Sequence, residues 1–321
     1  MKLSDELKAL RLLADNTEAA ARQKDIFYKH YWELRSRNEQ SFLGGLSLKT
    51  RSHLHPLFLI LYRIINRANG IRIRILQDRR THTDRPLIFA PTHVGKYDVE
   101  ASGEALKDHF YLLSGDFENL QGGIEQVFLN LNGVFFFQEQ DPSDRKAVTE
   151  KMISHLREGG NLLYFPEGAW NLSPHLPVLP LYWGIIDIAR SSHALIVPVG
   201  EEQYRHEFIV NIGSCFDVNA YEDSMSGKRQ AIQDLRDRMA SLKWEIWEQM
   251  PCCRRKDLTP EIWENYIDQR LSEWPGFDRE HIDSLIYRPK GVSSPEEAFA
   301  FKEKLIPSMA NAFLFGKQPV S

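Results

Sequence analysis

Residues 86–108 read PLIFAPTHVGKYDVEASGEALKD. The first part, PLIFAPT (86–92), is an apolar run of strand length, and KYDVEASGEALKD (96–108) suits a helix. An apolar run without strict alternation is what a strand covered on both faces requires, so this stretch favours an α/β arrangement. The same order continues downstream. FYLLSG (110–115), GVFFFQ (133–138), NLLYFPE (161–167), ALIVPVG (194–200) and EFIVNIG (207–213) read as strands. Helices are predicted between them at ENLQGGIEQVFLNL (118–131, broken by its glycines), SDRKAVTEKMISHLREGG (143–160, capped by Ser143) and PLYWGIIDIARSSH (180–193). The fold class expected is therefore α/β, with a central mixed, largely parallel sheet flanked by helices. Pro198 inside LIVPVG predicts an edge strand or a bulge, because proline cannot donate to a ladder.

The two ends have a different character. Residues 1–50 are polar and helix-favouring, with Phe27, Tyr28, Tyr31 and Trp32 grouped among them, and predict a helical N-terminal extension. Residues 51–220 form the α/β domain, and 221–321 a helical C-terminal extension. In the latter, Ile232, Leu235, Met239, Leu242, Ile246 and Met250 fall on one helical stripe, which Trp244 and Trp247 would widen as core residues. Thr259-Pro260 and the capping box Ser294-Pro295-Glu296-Glu297 mark further helix starts, and helix is expected to about residue 314.

Composition narrows the function classes. With 42% hydrophobic and 26% charged residues in 321, the chain can bury a sizeable core. A formal net charge of −4 argues against a nucleic-acid partner. Cys215 and the adjacent pair Cys252 and Cys253 offer neither a disulfide framework nor a metal-ligand spacing, so no metal is expected. The start, MKLSDELKAL, has charges where a signal peptide needs its apolar segment, and no apolar run reaches the ~18 residues of a membrane span. Between 55 and 68, however, Leu57, Ile60, Leu61, Ile64 and Ala68 share one helical face, and residues 51–80 hold seven arginines and one acid, Asp78. That pattern fits a helix lying in a membrane interface, and equally a core helix with a basic edge.

The chemistry centres on THVGKYD (92–98). His93 follows the carboxyl end of a strand, where open α/β sheets place their ligands. Asp98, in the first turn of the next helix, can fold back on the imidazole and fix its tautomer, leaving the other ring nitrogen to accept a hydroxyl proton. No Gly-x-Ser-x-Gly elbow is present, which argues against a serine hydrolase. Further along stand LNGVFFF with Gly133, FPEG (165–168) after a strand, and LIVPVG with Pro198.

Taken in order, THVGKYD, GVFFFQE, YFPEGAW and LIVPVG resemble the motifs of the glycerolipid (lysophosphatidate) acyltransferase family over about residues 55–215. The resemblance implies transfer of an acyl group from acyl-CoA or acyl carrier protein to a lipid hydroxyl, with no cofactor beyond that co-substrate. It implies a peripheral position on the cytoplasmic membrane face, reached through residues 55–80. It makes His93 the general base and Asp98 its orienting partner, with backbone amides near Gly95 or Gly168 to stabilise an oxyanion. Gly133, Phe136, Glu167 and Gly168 match the family's acceptor-side motifs. The family's arginines in the second and third motifs are replaced by Glu139 and by Trp170, which follows Ala169. A phosphate grip would then fall to Lys96 or Arg145, whereas Trp170 and Asn171 could instead shape a pocket for a neutral lysolipid or a glycan hydroxyl. A non-catalytic lipid-binding protein on the same fold is the alternative.

Overall fold

The computed structural model describes residues 3–11, 18–115, 117–138, 141–171, 176–250 and 259–273. The strands are β1 (Arg72–Asp78), β2 (Leu87–Pro91), β3 (Tyr111–Ser114), β4 (Val134–Phe136), β5 (Leu162–Leu163), β6 (Leu195–Tyr204) and β7 (Glu207–Ile212). The helices are α1 (Leu3–Arg11), α2 (Glu18–Glu39), α3 (Leu48–Ala68), α4 (Asp98–Leu106), α5 (Phe117–Leu120), α6 (Ile124–Asn132), α7 (Pro142–Arg157), α8 (Gly184–Ser192), α9 (Met225–Gln249) and α10 (Pro260–Glu273). The strand order is β1-β7-β6-β2-β5-β3-β4. β1 with β7, β2 with β6, β3 with β4 and β3 with β5 run parallel, and the β6–β7 hairpin is antiparallel. The expected mixed, largely parallel sheet is what forms.

Two compact units divide the chain. The first holds residues 1–60 and 108–163. Its core is aromatic: Phe27, Tyr31, Phe117 and Phe136 are buried with Leu3 and Leu10. Tyr31 meets Phe117 edge-on at 5.4 Å, and Phe117 meets Phe136 at 5.0 Å, the geometry that ring quadrupoles favour. Arg51 is buried here. Its guanidinium donates to the carbonyls of Leu43, Gly44, Leu46 and Asn130 and to the Tyr111 hydroxyl. One of the seven arginines expected to flank the interfacial face is therefore a structural hub instead.

The helix caps refine the sequence reading. α7 starts one residue before the predicted Ser143, because Asp141 accepts from the backbone N–H of Ser143 and Asp144 and Pro142 supplies a preset φ. α3 begins at Leu48, capped by Ser47, and so is longer than the predicted 55–68 segment. Gly133 ends α6 at φ +113, with the Tyr111 ring so close that a Cβ would approach it to 2.4 Å.

This unit also buries imidazoles. His109 donates from Nε2 to the Asn132 carbonyl, His155 bonds the Asn161 carbonyl, and Tyr111 lies against both rings. Burial pushes each down to about 4. Protons are then taken up on unfolding, so stability is full above pH 6.5 and is lost as pH falls towards 4, by up to about 3 kcal/mol for each histidine. Urea melts between pH 7 and pH 4 should show a slope of about two protons, reduced to about one in His155→Gln. A slope unchanged by that substitution would count against this account.

The second unit holds residues 61–107 and 164–321. β6 pairs with β2 from Leu195 to Val199 and with β7 from Val199 to Tyr204, so it is a central strand and not the edge that Pro198 predicts. The reason is local. The Pro198 carbonyl accepts from Gly213, just past the end of β7, so the missing N–H faces a side where the ladder has not begun. β1 carries an alternating IRIRI pattern that the sequence reading did not assign to a strand. α9 packs on β6, and a Cβ at Gly200 would meet Leu242 Cβ at 2.8 Å, so glycine permits the close approach. Ile232, Leu235, Met239, Leu242 and Ile246 are buried as the stripe predicts. Trp244, expected in the core, is exposed on the opposite side with its Nε1 on Glu248. α10 starts at Pro260 with the Thr259 hydroxyl accepting from Ile262. Cys252, Cys253 and the Ser294–Glu297 capping box lie outside the described residues.

Candidate active site

His93 sits two residues beyond β2, and Asp98 is the first residue of α4. The chain between them folds into a loop closed on one carboxylate oxygen. Asp98 Oδ2 accepts from His93 Nδ1 at 2.6 Å and from the backbone N–H of Val94 and of Gly95, both at 3.0 Å. Asp98 is buried while the His93 side chain is 21% exposed. A buried carboxylate at Nδ1 assigns the proton there and leaves Nε2 as the basic nitrogen.

The segment after β5 forms the other wall. Phe165 stacks on the imidazole at 4.2 Å between centroids, and Trp170 meets it edge-on at 6.0 Å. Glu167 is buried, and both of its oxygens accept backbone N–H groups: Oε1 from His93 at 2.9 Å and Oε2 from Leu179 at 2.6 Å. Burial raises the Glu167 carboxyl, against the opposing pull of Lys243, those two amides and His93. Asn171 donates its N–H to the His93 carbonyl at 2.7 Å and its side-chain amide to the carbonyls of Leu176 and Pro177. The imidazole is thus fixed through its ring, its N–H and its C=O.

Gly168 adopts φ +67, and a Cβ there would come within 2.2 Å of the Tyr182 ring. Of the amides in the two regions expected to supply oxyanion donors, Gly95 N–H is committed to Asp98 and Gly168 N–H to the Phe165 carbonyl.

The other predicted residues are distributed as follows. Lys96 lies beside the site, half-buried, with its ammonium 5.5 Å from the Tyr97 ring centre. Gly133, Phe136 and Arg145 belong to the first unit. Phe136 is in its aromatic core, Gly133 caps α6, and Arg145 is exposed on α7. Glu139 lies outside the described residues. The structure adds Phe165 as the ring stacked on His93, a residue quoted within FPEG but given no role by the sequence reading. It also adds Ser102, Glu201 and Lys243 behind the pair. The one signal for the last group was an unbroken Glu201-Glu202 dipeptide continuing an apolar strand.

Residues 72–201 match the family model described as Acyltransferase. That segment is 130 of the 321 residues of the chain. Its fold is similar to the crystal structure of the 1-acyl-sn-glycerophosphate (LPA) acyltransferase PlsC from Thermotoga maritima, with a TM-score of 0.50 and 14% sequence identity over 71% of this chain and 91% of that one. No curated protein sequence matches the chain. The matched segment includes β1 through most of β6, and with them His93, Asp98 and the FPEG turn. α9, which packs on β6, lies outside the matched segment.

Proposed function

We propose that the chain transfers a fatty acyl group from acyl-CoA or acyl carrier protein to the hydroxyl of a lysoglycerolipid, with His93 as general base. One observation carries the reading. His93 is held at Nδ1 by Asp98, stacked on Phe165 and partly exposed, with no protein partner on Nε2 among the described residues. The acceptor hydroxyl gives its proton to Nε2 as its oxygen bonds to the thioester carbonyl carbon. The tetrahedral adduct collapses, the carbon–sulfur bond breaks, and the imidazolium returns the proton to the leaving thiolate. A binding protein would have no use for a tautomer fixed in this way.

The sequence identity of the acceptor grip favours a head group other than a bare phosphate monoester. Trp170 is buried with its edge on the imidazole, where the family motif has arginine. An indole cannot make the bidentate bonds that guanidinium offers phosphate, but it can pack on a neutral head group or a sugar. The test is a mass-spectrometric assay with labelled acyl donors against lysophosphatidate, neutral lysolipids and glycolipids. Efficient acylation of lysophosphatidate alone would refute the neutral-acceptor reading. Acyl-donor hydrolysis unchanged by any acceptor would refute acyl transfer.

Membrane contact is assigned to α3. Leu57, Ile60 and Ile64 are 62%, 54% and 57% exposed on one face, with Arg63 and Arg67 beside them. No helix among the described residues is long and apolar enough to cross a membrane. Of the more distal arginines, Arg74 pairs with Glu207, Arg79 with Glu245 and Arg80 with Asp78, whereas Arg72 is exposed on β1. The exposed apolar face supports an interfacial seat for α3, and the family resemblance is what suggests the cytoplasmic leaflet. Ile60→Glu with Ile64→Glu should lower co-sedimentation with anionic vesicles about tenfold or more, without lowering the melting temperature. Equal sedimentation of variant and parent would exclude this face.

A further inference from the structure

Glu201 is fully buried in the middle of β6, and the proposed mechanism gives it no task. Its backbone N–H donates to Thr92 Oγ1 at 2.8 Å, and its carbonyl accepts from the same hydroxyl at 3.0 Å. Thr92 directly precedes His93. The Glu201 side-chain Oε1 accepts from Ser102 Oγ at 2.5 Å. Ser102 lies one helical turn beyond Asp98 on α4. Glu201 therefore holds the residue before the base with its backbone and the helix carrying the base's partner with its side chain.

The second carboxyl oxygen, Oε2, is buried and has no hydrogen-bond partner among the described residues. The nearby cation is spoken for. Lys243 of α9 pairs with Glu202 at 3.2 Å, and Trp247 Nε1 donates to the same Glu202 oxygen at 2.8 Å. The groups facing the Glu201 carboxyl are thus Ser102 and Asp98 from α4, opposed by Lys243 of α9, which is ion-paired with Glu202. A carboxylate with one oxygen bare, facing a second carboxylate, is not sustained in such a place, whereas the uncharged acid is.

We propose that Glu201 is a positioning residue for the His93–Asp98 pair, acting as an uncharged acid that ties Thr92 and Ser102 together. Asp98 then remains the sole negative charge at the imidazole, and the strand end and helix start that carry the pair keep a fixed separation. Burial with the neighbouring Asp98 raises the Glu201 carboxyl well above the usual range, in agreement. The inference rests on the general-base reading of His93.

Three variants test it, read by steady-state kinetics and by the downfield proton NMR signal of the His93 Nδ1–H bond to Asp98. Glu201→Gln preserves shape and neutrality and should keep kcat within about threefold, with the acid limb of its pH profile unmoved and the downfield signal retained. Glu201→Leu should lose or shift that signal and lower kcat about thirtyfold or more, with KM for the acyl donor within about twofold. Should the leucine variant not fold, Ser102→Ala removes the same bond from the other side and should lower kcat about tenfold with the same spectral change. If glutamine is as damaging as leucine, or moves the acid limb, the residue acts as a charge and the proposal falls. A folded leucine or Ser102→Ala variant with an unchanged signal and kcat also overturns it. His93→Ala, assayed alongside, separates the two failures: activity there would dispose of the general base, while the NMR signal of the Glu201 and Ser102 variants, which keep His93, still reports whether Glu201 holds the pair.

Discussion

His93→Ala is expected to reduce kcat about a thousandfold or more while leaving the melting temperature near that of the parent. The stability half of this expectation comes from where His93 is tied. Its backbone bonds to Glu167 and Asn171 do not involve the ring, and the ring itself is partly exposed. The kinetic half comes from the absence of any second base at the site among the described residues. Asp98 is turned away into the loop on its three donors, and Glu167 has both oxygens on backbone amides. Asp98→Asn should behave differently. An amide presented to Nδ1 can donate, moving the ring proton to Nε2, where it blocks proton abstraction; a loss of about a hundredfold or more in kcat is expected. It also withdraws the charge that Val94 and Gly95 N–H bind, so this variant should melt lower than His93→Ala. Single-turnover acyl transfer with melting curves on both variants separates the effects. His93→Ala protein that still turns over at the parent rate would remove the mechanism.

The His93–Asp98 pair was legible in the sequence because its geometry is local. Four residues connect His93 to Asp98, and a strand end followed by a helix start leaves few ways to join them. The rest of the site was not legible for a matching reason. Glu167 was named only through the family's FPEG motif, and Glu201 and Lys243 reach the pair's surroundings through sheet and helix packing across tens of residues, which no spacing records. The fold class was readable because each strand and helix carries its own period, yet β1 was missed where an alternating IRIRI run follows a helix of the same apolar composition. Pro198 misled because the edge rule assumes that every central residue must donate. Here the missing donor faces the gap beyond β7. Trp244 misled because a stripe predicts a face and not its width: Leu242 and Ile246 fill it, and the indole falls outside.

Substitutions at Glu167 should show that the FPEG turn acts through the backbone of the base. Its two oxygens each accept one N–H, from His93 and from Leu179, in a fully enclosed place. Glu167→Gln keeps the shape but replaces one acceptor with an NH2 group, which must face one of those two donors. An unsatisfied buried amide costs about 1–3 kcal/mol, so the glutamine variant is expected to melt lower. If the mismatch falls on His93 N–H, the loop shifts and carries the imidazole with it, and a displacement near 1 Å costs about a hundredfold in rate. Glu167→Ala leaves both amides without a partner and should be worse on both counts. A residue that contacted only the acceptor would behave otherwise: KM for the acceptor would rise, while kcat, stability and the donor's spontaneous hydrolysis stayed level. Measuring kcat, the two KM values and the melting temperature for both variants decides between these. Parent-like stability with a raised acceptor KM would place Glu167 at the substrate and would refute its role as the clamp on His93.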